Sequence, residues 1–557
     1  MLIIAHHFAR SARWRHALFA VAATLTILLI GYHYGTFDQS IHIPFLKKFA
    51  DPTLYRGNEA FLDLRFQHYS YFWFLFIPFY KAGILEPVLF IVHFLATYCA
   101  FWVLWGLADT LFHDPLANLL TVVAFIVPHI GFSAFPIFEW SLLNRTAMLP
   151  LVLWAITLFL QRRYVWALAL LGVIFNFHVL SAGFVLCLFM LALAVDFKKI
   201  GWRAAGAGGV MFTLTALPLL IWRVLSPPLR LTPDPDWFNV VSNGLFQHLF
   251  YLVAPYPYIW LVTLCGVSAL ALFIIAAQAQ IAPEHDRTLR AFVGAALLLV
   301  GVQALATYVA PITLIIQSQI MRAGLLALIL GYVYFAGYLA AQYRAGVWRG
   351  WDFGLLVLAF ISGLAAVLPV LAWLILRVVR SALWRKIALA FSISAIFFTT
   401  LGIAFMYDLW SPGIYVFMRH TPWHDAQAWA REHTPPDAIF ITPLTQFWFY
   451  DAEWRVFSER AQVVALSDIL EIALVPDYLP EWKTRFERLA PGALAQFNGD
   501  VFENLALTEN AYNSLSDTAL LEAAHTYAAT YLVVEKPHLR PWPVVYENTQ
   551  FVIYQLP

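Results

Sequence analysis

The fold of this chain is decided by the stretch YHYGTFDQSIHIPFLKKFADPTLYRGNEAFLDLRFQHYS, residues 32–70. It follows the first apolar run, yet it carries Asp38, Asp51, Asp63 and three histidines, which is too much polarity for the interior of a bilayer. Apolar segments on both sides make it a long loop at a membrane surface. A carboxylate at the end of a membrane helix, on a loop rich in aromatic residues, is a candidate for chemistry.

The composition of the whole chain is that of a membrane protein. Its 557 residues are 61% hydrophobic and 12% charged, whereas soluble domains carry about 25% charged residues. The mean hydropathy is +0.71. A net charge of +1 without long Lys/Arg clusters gives no sign of a nucleic-acid partner. The three cysteines lie in apolar runs, so no disulfide framework is predicted.

Apolar runs of roughly 18 residues or more predict membrane-spanning helices. The first run, Ala17–Tyr32, follows Arg10, Arg13 and Arg15, so the positive-inside rule puts the N-terminus in the cytoplasm. The further predicted spans and half-spans are Glu86–Ala108, Ala117–Phe135, Leu142–Leu160, Tyr164–Asn176 with Leu180–Val195, Ala205–Trp222, Pro257–Gln278, Ala291–Pro311, Arg322–Ala341, Gly354–Leu376 and Ile387–Tyr407. The run Tyr71–Tyr80 is too short to span and suits an interfacial helix.

This pattern predicts a polytopic α-helical membrane protein with about 11–13 transmembrane helices. A count of about twelve spans leaves RVVRSALWRK, residues 377–386, on the outer face, against the charge rule. One helix is therefore miscounted, and Val240–Tyr258 is a weak candidate for it.

From about residue 408 the long apolar runs end and mixed patterns begin. The predicted helices and strands of this tail are Trp423–His433, AIFIT at 438–442, Pro480–Leu489, Asp517–Tyr527, Tyr531–Val534, Val544–Tyr546 and Phe551–Tyr554. We expect a membrane domain over residues 1–408, whose first extracytoplasmic loop is 33–85, and a soluble extracytoplasmic α/β domain over residues 409–557.

Two carboxylates are candidates for catalysis. Asp38 follows the first span and is either a solvated loop residue or a general base for an acceptor hydroxyl at the membrane surface. Glu139 lies in FPIFEWSLLNR, the outer link between the third and fourth spans, on the face of Asp38. If the two converge, they are ligands for a divalent cation that neutralises a phosphate leaving group. Alternatively, Glu139 pairs with Arg145.

Cationic and imidazole groups on the same face are candidates for phosphate or substrate binding. Arg322 follows ITLIIQSQIM at the outer membrane boundary, where an ionisable group is costly unless it snorkels to the surface. Arginine binds phosphate bidentately, so a lipid-phosphate head group suits Arg322, with Arg145 as a second contact. His178, in the outer tip NFHVLS, and His129 either line the same cavity or are structural histidines.

Several catalytic motifs are missing from the sequence. It contains no phosphate-binding P-loop, GxGxxG, CxxC, HExxH or GxSxG in a usable context. This argues against an ATPase, a dinucleotide enzyme and a zinc protease.

The arrangement resembles the GT-C superfamily of membrane glycosyltransferases, which use polyprenyl-phosphate-linked sugars. Similar features are Asp38 just after the first helix, a long first outer loop, an acid in the second outer loop (Glu139), and HDAQAWAREHTPPDAIFITP at the start of the tail. The resemblance is closest to bacterial GT-C-like membrane proteins of unknown function, with similar endings to ATYLVVEKPHLRPWPVVYENTQFVIYQLP. Two departures are Gln39 after Asp38, in place of a second acid, and the absence of the WWDYG motif of oligosaccharyltransferases.

The resemblance implies transfer of a sugar from a polyprenyl-phosphate donor to an acceptor at the outer face of a bacterial inner membrane. Asp38 would be the base, Arg322, Arg145 and His178 would bind the donor, and Glu139 would ligate a metal, Mg²⁺ or Mn²⁺, or act as a second acid. The partners implied are the lipid-linked sugar and membrane lipids. A transporter and a non-catalytic scaffold of the same shape are the alternatives. A transporter predicts charged residues in mid-span and two related halves, whereas the polar residues here gather at outer helix ends.

Overall fold

The computed structural model describes residues 2–55, 60–127, 129–130, 136–226, 235–244, 257–348, 350–361, 373–376, 378–379, 381–406, 412–445 and 451–557. The helices of its first part are α1 (Leu2–Arg10), α2 (Ala12–Ile30), α3 (Gln39–Ala50), α4 (Ile77–Lys81), α5 (Leu85–Phe112), α6 (Pro115–Ala124), α7 (Asn144–Leu160), α8 (Tyr164–Phe175), α9 (Val179–Val195), α10 (Phe197–Ile200), α11 (Trp202–Val224), α12 (Pro235–Asn243), α13 (Pro257–Gln278), α14 (Asp286–Tyr308), α15 (Thr313–Ser318), α16 (Gly324–Arg344), α17 (Trp351–Ile361) and α18 (Ala382–Met406).

The prediction of a polytopic helical membrane protein is confirmed. Within the described residues, five helical segments are long and apolar enough to cross a bilayer: α2, α5, α11, α14 and the nearly continuous Thr313–Arg344. Shorter apolar helices, among them α6 to α9, pack between them. Tyr71–Tyr80, predicted to be interfacial, forms a 3₁₀ turn at Trp73–Phe76 followed by α4, so it is too short to span.

A pair of short strands fixes which ends of the chain share a membrane face. Strand β1 (Tyr32–His33) directly follows α2, and β2 (Ile414–Tyr415) follows α18. The two strands run parallel, so both helices deliver the chain to the same face. Residues 227–234, 245–256 and 362–372 lie outside the description, so the number of spans between α2 and α18 stays a prediction. Arg385 and Lys386 lie at the start of α18, at the opposite end of that helix from β2.

The tail folds around a mixed sheet with helices on both sides, as predicted for an α/β unit. Its helices are α19 (Pro422–His433), α20 (Trp454–Ser458), α21 (Ile469–Leu474), α22 (Leu479–Leu489), α23 (Val501–Asn513) and α24 (Asp517–Tyr527). Its strands are β3 (Ile439–Ile441), β4 (Ala461–Gln462), β5 (Tyr531–Glu535), β6 (Val544–Glu547) and β7 (Phe551–Gln555), in the order β4-β3-β5-β7-β6. Strand β3 pairs parallel with β4 and β5, while β7 pairs antiparallel with β5 and β6.

The alternation of side chains along the strands divides the tail core into two layers. Leu532 and Val534 pack on one face with Trp482 and Phe486 of α22. Val533 packs on the other face, in the layer that includes α19. Successive residues of a strand point to opposite faces, so one short apolar run serves both layers.

The opening loop belongs to the same apolar core as the tail. Ile41, Phe45 and Phe61 of the loop are buried in one cluster with the α22 side of the sheet. Lys47 Nζ, itself buried, binds Glu459 Oε1 at 2.7 Å and the Val456 carbonyl at 2.8 Å. The division at residue 408 stays a prediction, but packing joins the opening loop to the tail and places both on one side of the membrane.

Several predicted elements differ from the described structure or lie partly outside it. In the third predicted span, Ala117–Phe135, α6 ends at Ala124, and residues 128 and 131–135 lie outside the description. In Val240–Tyr258, α12 ends at Asn243 and residues 245–256 lie outside the description. Helix α23 was not predicted from the sequence.

Candidate functional site

Asp38 is presented by a tight turn between β1 and α3. Gly35 has a φ of +81°, and a Cβ there would lie 3.0 Å from Val456 Cγ1, so the turn requires glycine. Asp38 precedes the first residue of α3, where an aspartate usually accepts hydrogen bonds from the first-turn N–H groups. It makes no such cap. Its carboxylate is instead directed to another part of the chain.

Gln39, which stands where a second acid was expected, is a structural cross-link. The Gly35 N–H donates to Gln39 Oε1 at 2.8 Å, and Gln39 Nε2 donates to the Leu142 carbonyl at 2.8 Å. Gln39 is fully buried. A carboxylate at this position would have no N–H for Leu142. The His33 N–H, which donates to the Trp140 carbonyl at 2.7 Å, adds a second tie between the same loops.

Arg145 bridges the two predicted carboxylates. It is the second residue of α7, and its Nη1 donates to Asp38 Oδ2 at 2.6 Å. Its Nε and Nη2 donate to Glu139 Oε1 and Oε2 at 2.6 and 2.8 Å. The convergence of Asp38 and Glu139 is thus observed, and so is the pairing of Glu139 with Arg145, the alternative that the sequence left open.

The two carboxyl groups differ in their electrostatics. Burial alone would raise the pKa of Asp38, but the charge of Arg145 outweighs it and holds that pKa below its ordinary value. For Glu139 burial prevails over Arg145, and the nearby Asp38 adds to it, so its pKa lies above the ordinary value. Asp38 therefore remains an anion at pH values where Glu139 begins to take up a proton.

Arg322 lies close enough for its charge to act on Asp38, Glu139 and Arg145. It sits in a 3₁₀ turn, Ile320–Ala323, that interrupts the helical path between α15 and α16. Gln303 of α14 supports this break, because its Oε1 accepts a hydrogen bond of 3.0 Å from the Ile320 N–H. The guanidinium is therefore presented at a break between two helices.

His178 belongs to the same group. It precedes α9, and its Nδ1 accepts a hydrogen bond of 3.2 Å from the Ser181 N–H. Burial, with the charges of Arg145 and Arg322, lowers the pKa of His178 to about 3. The neutral ring therefore carries its proton on Nε2 and can donate to an anion. His129, by contrast, hydrogen-bonds the Ala124 carbonyl at 2.6 Å, at the end of α6, as a structural histidine does.

A divalent metal does not fit the described residues. Arg145 hydrogen-bonds both oxygens of Glu139 and one oxygen of Asp38. Within the described ranges, no three His, Cys, Asp or Glu side chains are grouped closely enough to hold a metal ion. The metal-ligand role of Glu139 stays an unsupported prediction, and in the structure Glu139 orients Arg145.

All five predicted site residues, Asp38, Glu139, Arg145, Arg322 and His178, are thus brought together, while their roles remain predictions. Sequence reasoning missed three neighbours. His42 lies one helical turn after Asp38, and this i, i+4 spacing was a usable signal. His68 and the tail residue Glu471 are in contact with each other, and no local pattern links positions so far apart.

Comparisons with known proteins add the following. The family model described as a domain of unknown function, DUF6798, matches residues 421–489 in the tail. No curated protein matches the sequence. The chain is similar in structure to ArnT from Cupriavidus metallidurans, whose crystal structure is bound to undecaprenyl phosphate. The sequence identity is 12%, the TM-score is 0.44, and the alignment covers 98% of each chain.

Proposed function

We propose that this protein transfers a sugar from a polyprenyl-phosphate donor to an acceptor hydroxyl at the membrane face that carries the tail. The observation that carries the proposal is the arrangement of Asp38, Arg145 and Arg322. One anionic carboxylate stands beside two guanidinium groups at the ends of membrane helices, where a phosphate with an apolar tail can reach them.

Asp38 suits the role of general base. Its Oδ2 is held by Arg145, whereas Oδ1 accepts no hydrogen bond from the residues described. Its low pKa keeps it ionised at neutral pH. Oδ1 is therefore available to an acceptor hydroxyl, and a positioned base of this kind contributes about 10²–10⁴-fold to a rate.

Arg145, Arg322 and His178 suit the phosphate of the donor. Guanidinium groups match phosphate oxygens with paired N–H donors, and His178 offers a further N–H. Charge develops on the lipid phosphate as its bond to the sugar breaks, so these donors stabilise the leaving group. Glu139 holds the Arg145 guanidinium in place through two hydrogen bonds.

The proposed reaction balances without a further reactant. The acceptor O–H gives its proton to Asp38 while its oxygen forms a bond to the anomeric carbon. The bond between that carbon and the phosphate oxygen breaks, and its electron pair leaves with the lipid phosphate. No step passes through a metal.

The proposed location is the outer face of a bacterial inner membrane. The parallel pairing of β1 with β2 and the packing of the opening loop against the tail support a location of both on one side. Arg10 precedes α2, and Arg13 and Arg15 lie in its first turn, so the positive-inside rule makes this end of α2 cytoplasmic. The tail and the site are then extracytoplasmic.

The test uses the full-length protein in vesicles of membrane-extract lipids, which supply acceptor hydroxyls, with undecaprenyl phosphate that carries a radiolabelled hexose. We expect the wild type to consume this lipid, and Asp38→Asn to reduce consumption by about 100-fold or more. Asn keeps the shape of the side chain, and an unchanged Tm would show that the fold is intact. An Asp38→Asn variant with the wild-type rate would remove Asp38 as the base and the proposed function with it.

A further inference from the structure

A second group of polar and aromatic side chains lies beside Asp38 and has no part in the proposed phosphate site. His42 stacks on Trp73, with ring centroids 5.2 Å apart and planes within 27°. His68 meets the His42 ring edge-on, with centroids 5.4 Å apart. We call His42, Trp73, His68 and their tail partner Glu471 the histidine pocket.

The tail supplies one wall of the histidine pocket. Glu471 lies on α21 and is buried, and its Oε2 contacts His68 Nε2. Phe45, one turn beyond His42 on α3, packs edge-on against the His68 ring at 5.0 Å. His68 is therefore held from both sides, by α3 and by the tail. Glu471 also falls within the residues matched by the domain of unknown function.

The histidine pocket contains hydrogen-bonding groups that the described residues do not use. The ring nitrogens of His42 bond to none of them, although the ring is only half-buried. Trp73 Nε1 is buried, and it likewise donates to none of them. A buried indole N–H is usually satisfied, so that of Trp73 points to a ligand with oxygen atoms.

The histidine pocket offers a neutral hydrogen-bonding ring. Burial lowers the pKa of His42 to about 3, and His68 contributes to the effect, so His42 is neutral at pH 7 with one donor and one acceptor nitrogen. The carboxylate of Glu471 is engaged by His68. This combination of aromatic rings and neutral hydrogen-bonding groups suits a hydroxylated ring without charge.

We propose that His42, Trp73 and the His68–Glu471 pair bind the sugar of the lipid-linked donor, and that this sugar is uncharged. The proposal rests on the proposed function. His42 lies near enough to feel the charges of Asp38 and Arg145, so the histidine pocket borders the phosphate site. A donor with its phosphate on Arg145 and Arg322 would place its sugar between Asp38 and the tail.

The experiment compares two probes, undecaprenyl phosphate and undecaprenyl phosphate carrying glucose, by their binding to the full-length protein in nanodiscs. The wild type is expected to bind the glucose-bearing lipid more tightly. His42→Phe keeps a ring against Trp73 but removes both nitrogens, and it should reduce this preference by about tenfold. His42→Gln restores a donor and an acceptor and should regain part of it.

Two tail variants separate a role in sugar binding from general stability. Glu471→Gln should reduce the preference for glucose, because His68 loses the carboxylate that holds its ring. Glu481→Gln is the matched control, since Glu481 pairs with Arg485 and is half-exposed. It should bind both probes as the wild type does. A lipid carrying glucuronate should bind more weakly than the one carrying glucose.

The outcomes distinguish this proposal from the proposed function. Equal binding of both probes by the wild type, or an unchanged preference in both His42→Phe and Glu471→Gln, overturns the sugar pocket. Arg322→Gln should weaken both probes equally. If it weakens neither, the phosphate site is wrong, whatever the histidine pocket does. A wild type that binds neither probe overturns both proposals.

Discussion

Two arginines of this chain are each held by two carboxylates, one in the candidate site and one inside the tail. In the tail, Arg455 donates to Asp468 through two hydrogen bonds of 2.9 and 3.1 Å and lies 3.4 Å from Glu453. None of these side chains is more than 4% exposed. The Phe61 ring of the opening loop covers the guanidinium at 4.2 Å.

The arginine of the site is more open. Arg145 and Asp38 retain 16% and 20% of their side-chain exposure, and Glu139 retains 9%. A sealed triad such as that of Arg455 leaves no room for a ligand, so its charges specify how the tail and the opening loop fit together. An open triad has the same charges with access for a substrate. Side-chain exposure, rather than the type of residue, therefore separates the structural cluster from the candidate catalytic one.

The largest effect on stability is expected at the sealed triad. Arg455→Met would leave Asp468 and Glu453 buried without their cation, and breaking a buried pair in this way costs about 3–5 kcal/mol. The measurement is the Tm of the full-length protein in detergent. Arg431→Met is the control, because Arg431 is exposed and its contact with Glu432 is 3.7 Å long. A Tm equal to that of the control would contradict the assignment of Arg455 to structure.

At the open triad the larger expected loss is in activity rather than in stability. Arg145→Gln should lower consumption of a lipid-linked hexose by about 100-fold, because a bidentate donor to the leaving phosphate is lost. Its Tm should fall less than that of Arg455→Met, since Asp38 retains 20% of its side-chain exposure, whereas no member of the sealed triad exceeds 4%. Arg162→Gln, at an exposed arginine 3.7 Å from Glu284, is the control. A large drop in Tm with full activity in Arg145→Gln would show that Arg145 has a structural role instead.

An intermediate effect is expected at Gln39. Gln39→Glu supplies the second acid that the sequence resemblance called for, but it removes the N–H donated to the Leu142 carbonyl. An unsatisfied buried acceptor costs about 1–3 kcal/mol. We expect a lower Tm and slower turnover. If Gln39→Glu is more active than the wild type and equally stable, an acid at position 39 favours activity and the Gln39 cross-link is not required.

The smallest effect is expected on the pH profile. Because the pKa of Glu139 is raised above its ordinary 4.5 and that of Asp38 is lowered below 3.8, acidification protonates Glu139 first. Arg145 then loses its orienting partner, so activity should decline at a pH above 4.5. In Glu139→Gln this decline should be absent, and a residual activity should persist until Asp38 titrates. If activity declines over the same acidic pH range in the wild type and in Glu139→Gln, Glu139 does not cause the decline.

Much of the fold was predictable because local sequence patterns determine its helices and strands. Helix α24 was expected at Asp517–Tyr527 and is observed there, and strand β7 was expected within one residue of its end. Apolar length identified the membrane helices for the same reason. The third span was predicted to be longer than α6 because apolar residues continue beyond Ala124, where that helix ends.

The site was predictable only as a group of residues on one face. Topology placed Asp38 and Glu139 on that face, but the bridge from Arg145 joins positions 107 residues apart. The bond from Gln39 to Leu142 spans 103 residues, and the contact of His68 with Glu471 spans 403. Periodicity carries information over a few turns of helix or strand, whereas such contacts depend on how the loop and the tail pack together.

The central claim is that the open triad and Arg322 receive the phosphate of a polyprenyl lipid. The most direct measurement is a cryo-EM structure of the full-length protein in nanodiscs with undecaprenyl phosphate added. We expect phosphate density about 3 Å from guanidinium nitrogens of Arg145 and Arg322, with the lipid chain leading into the bilayer. Lipid phosphate bound at another position, with the bond between Arg145 and Asp38 intact and the triad unoccupied, would contradict it.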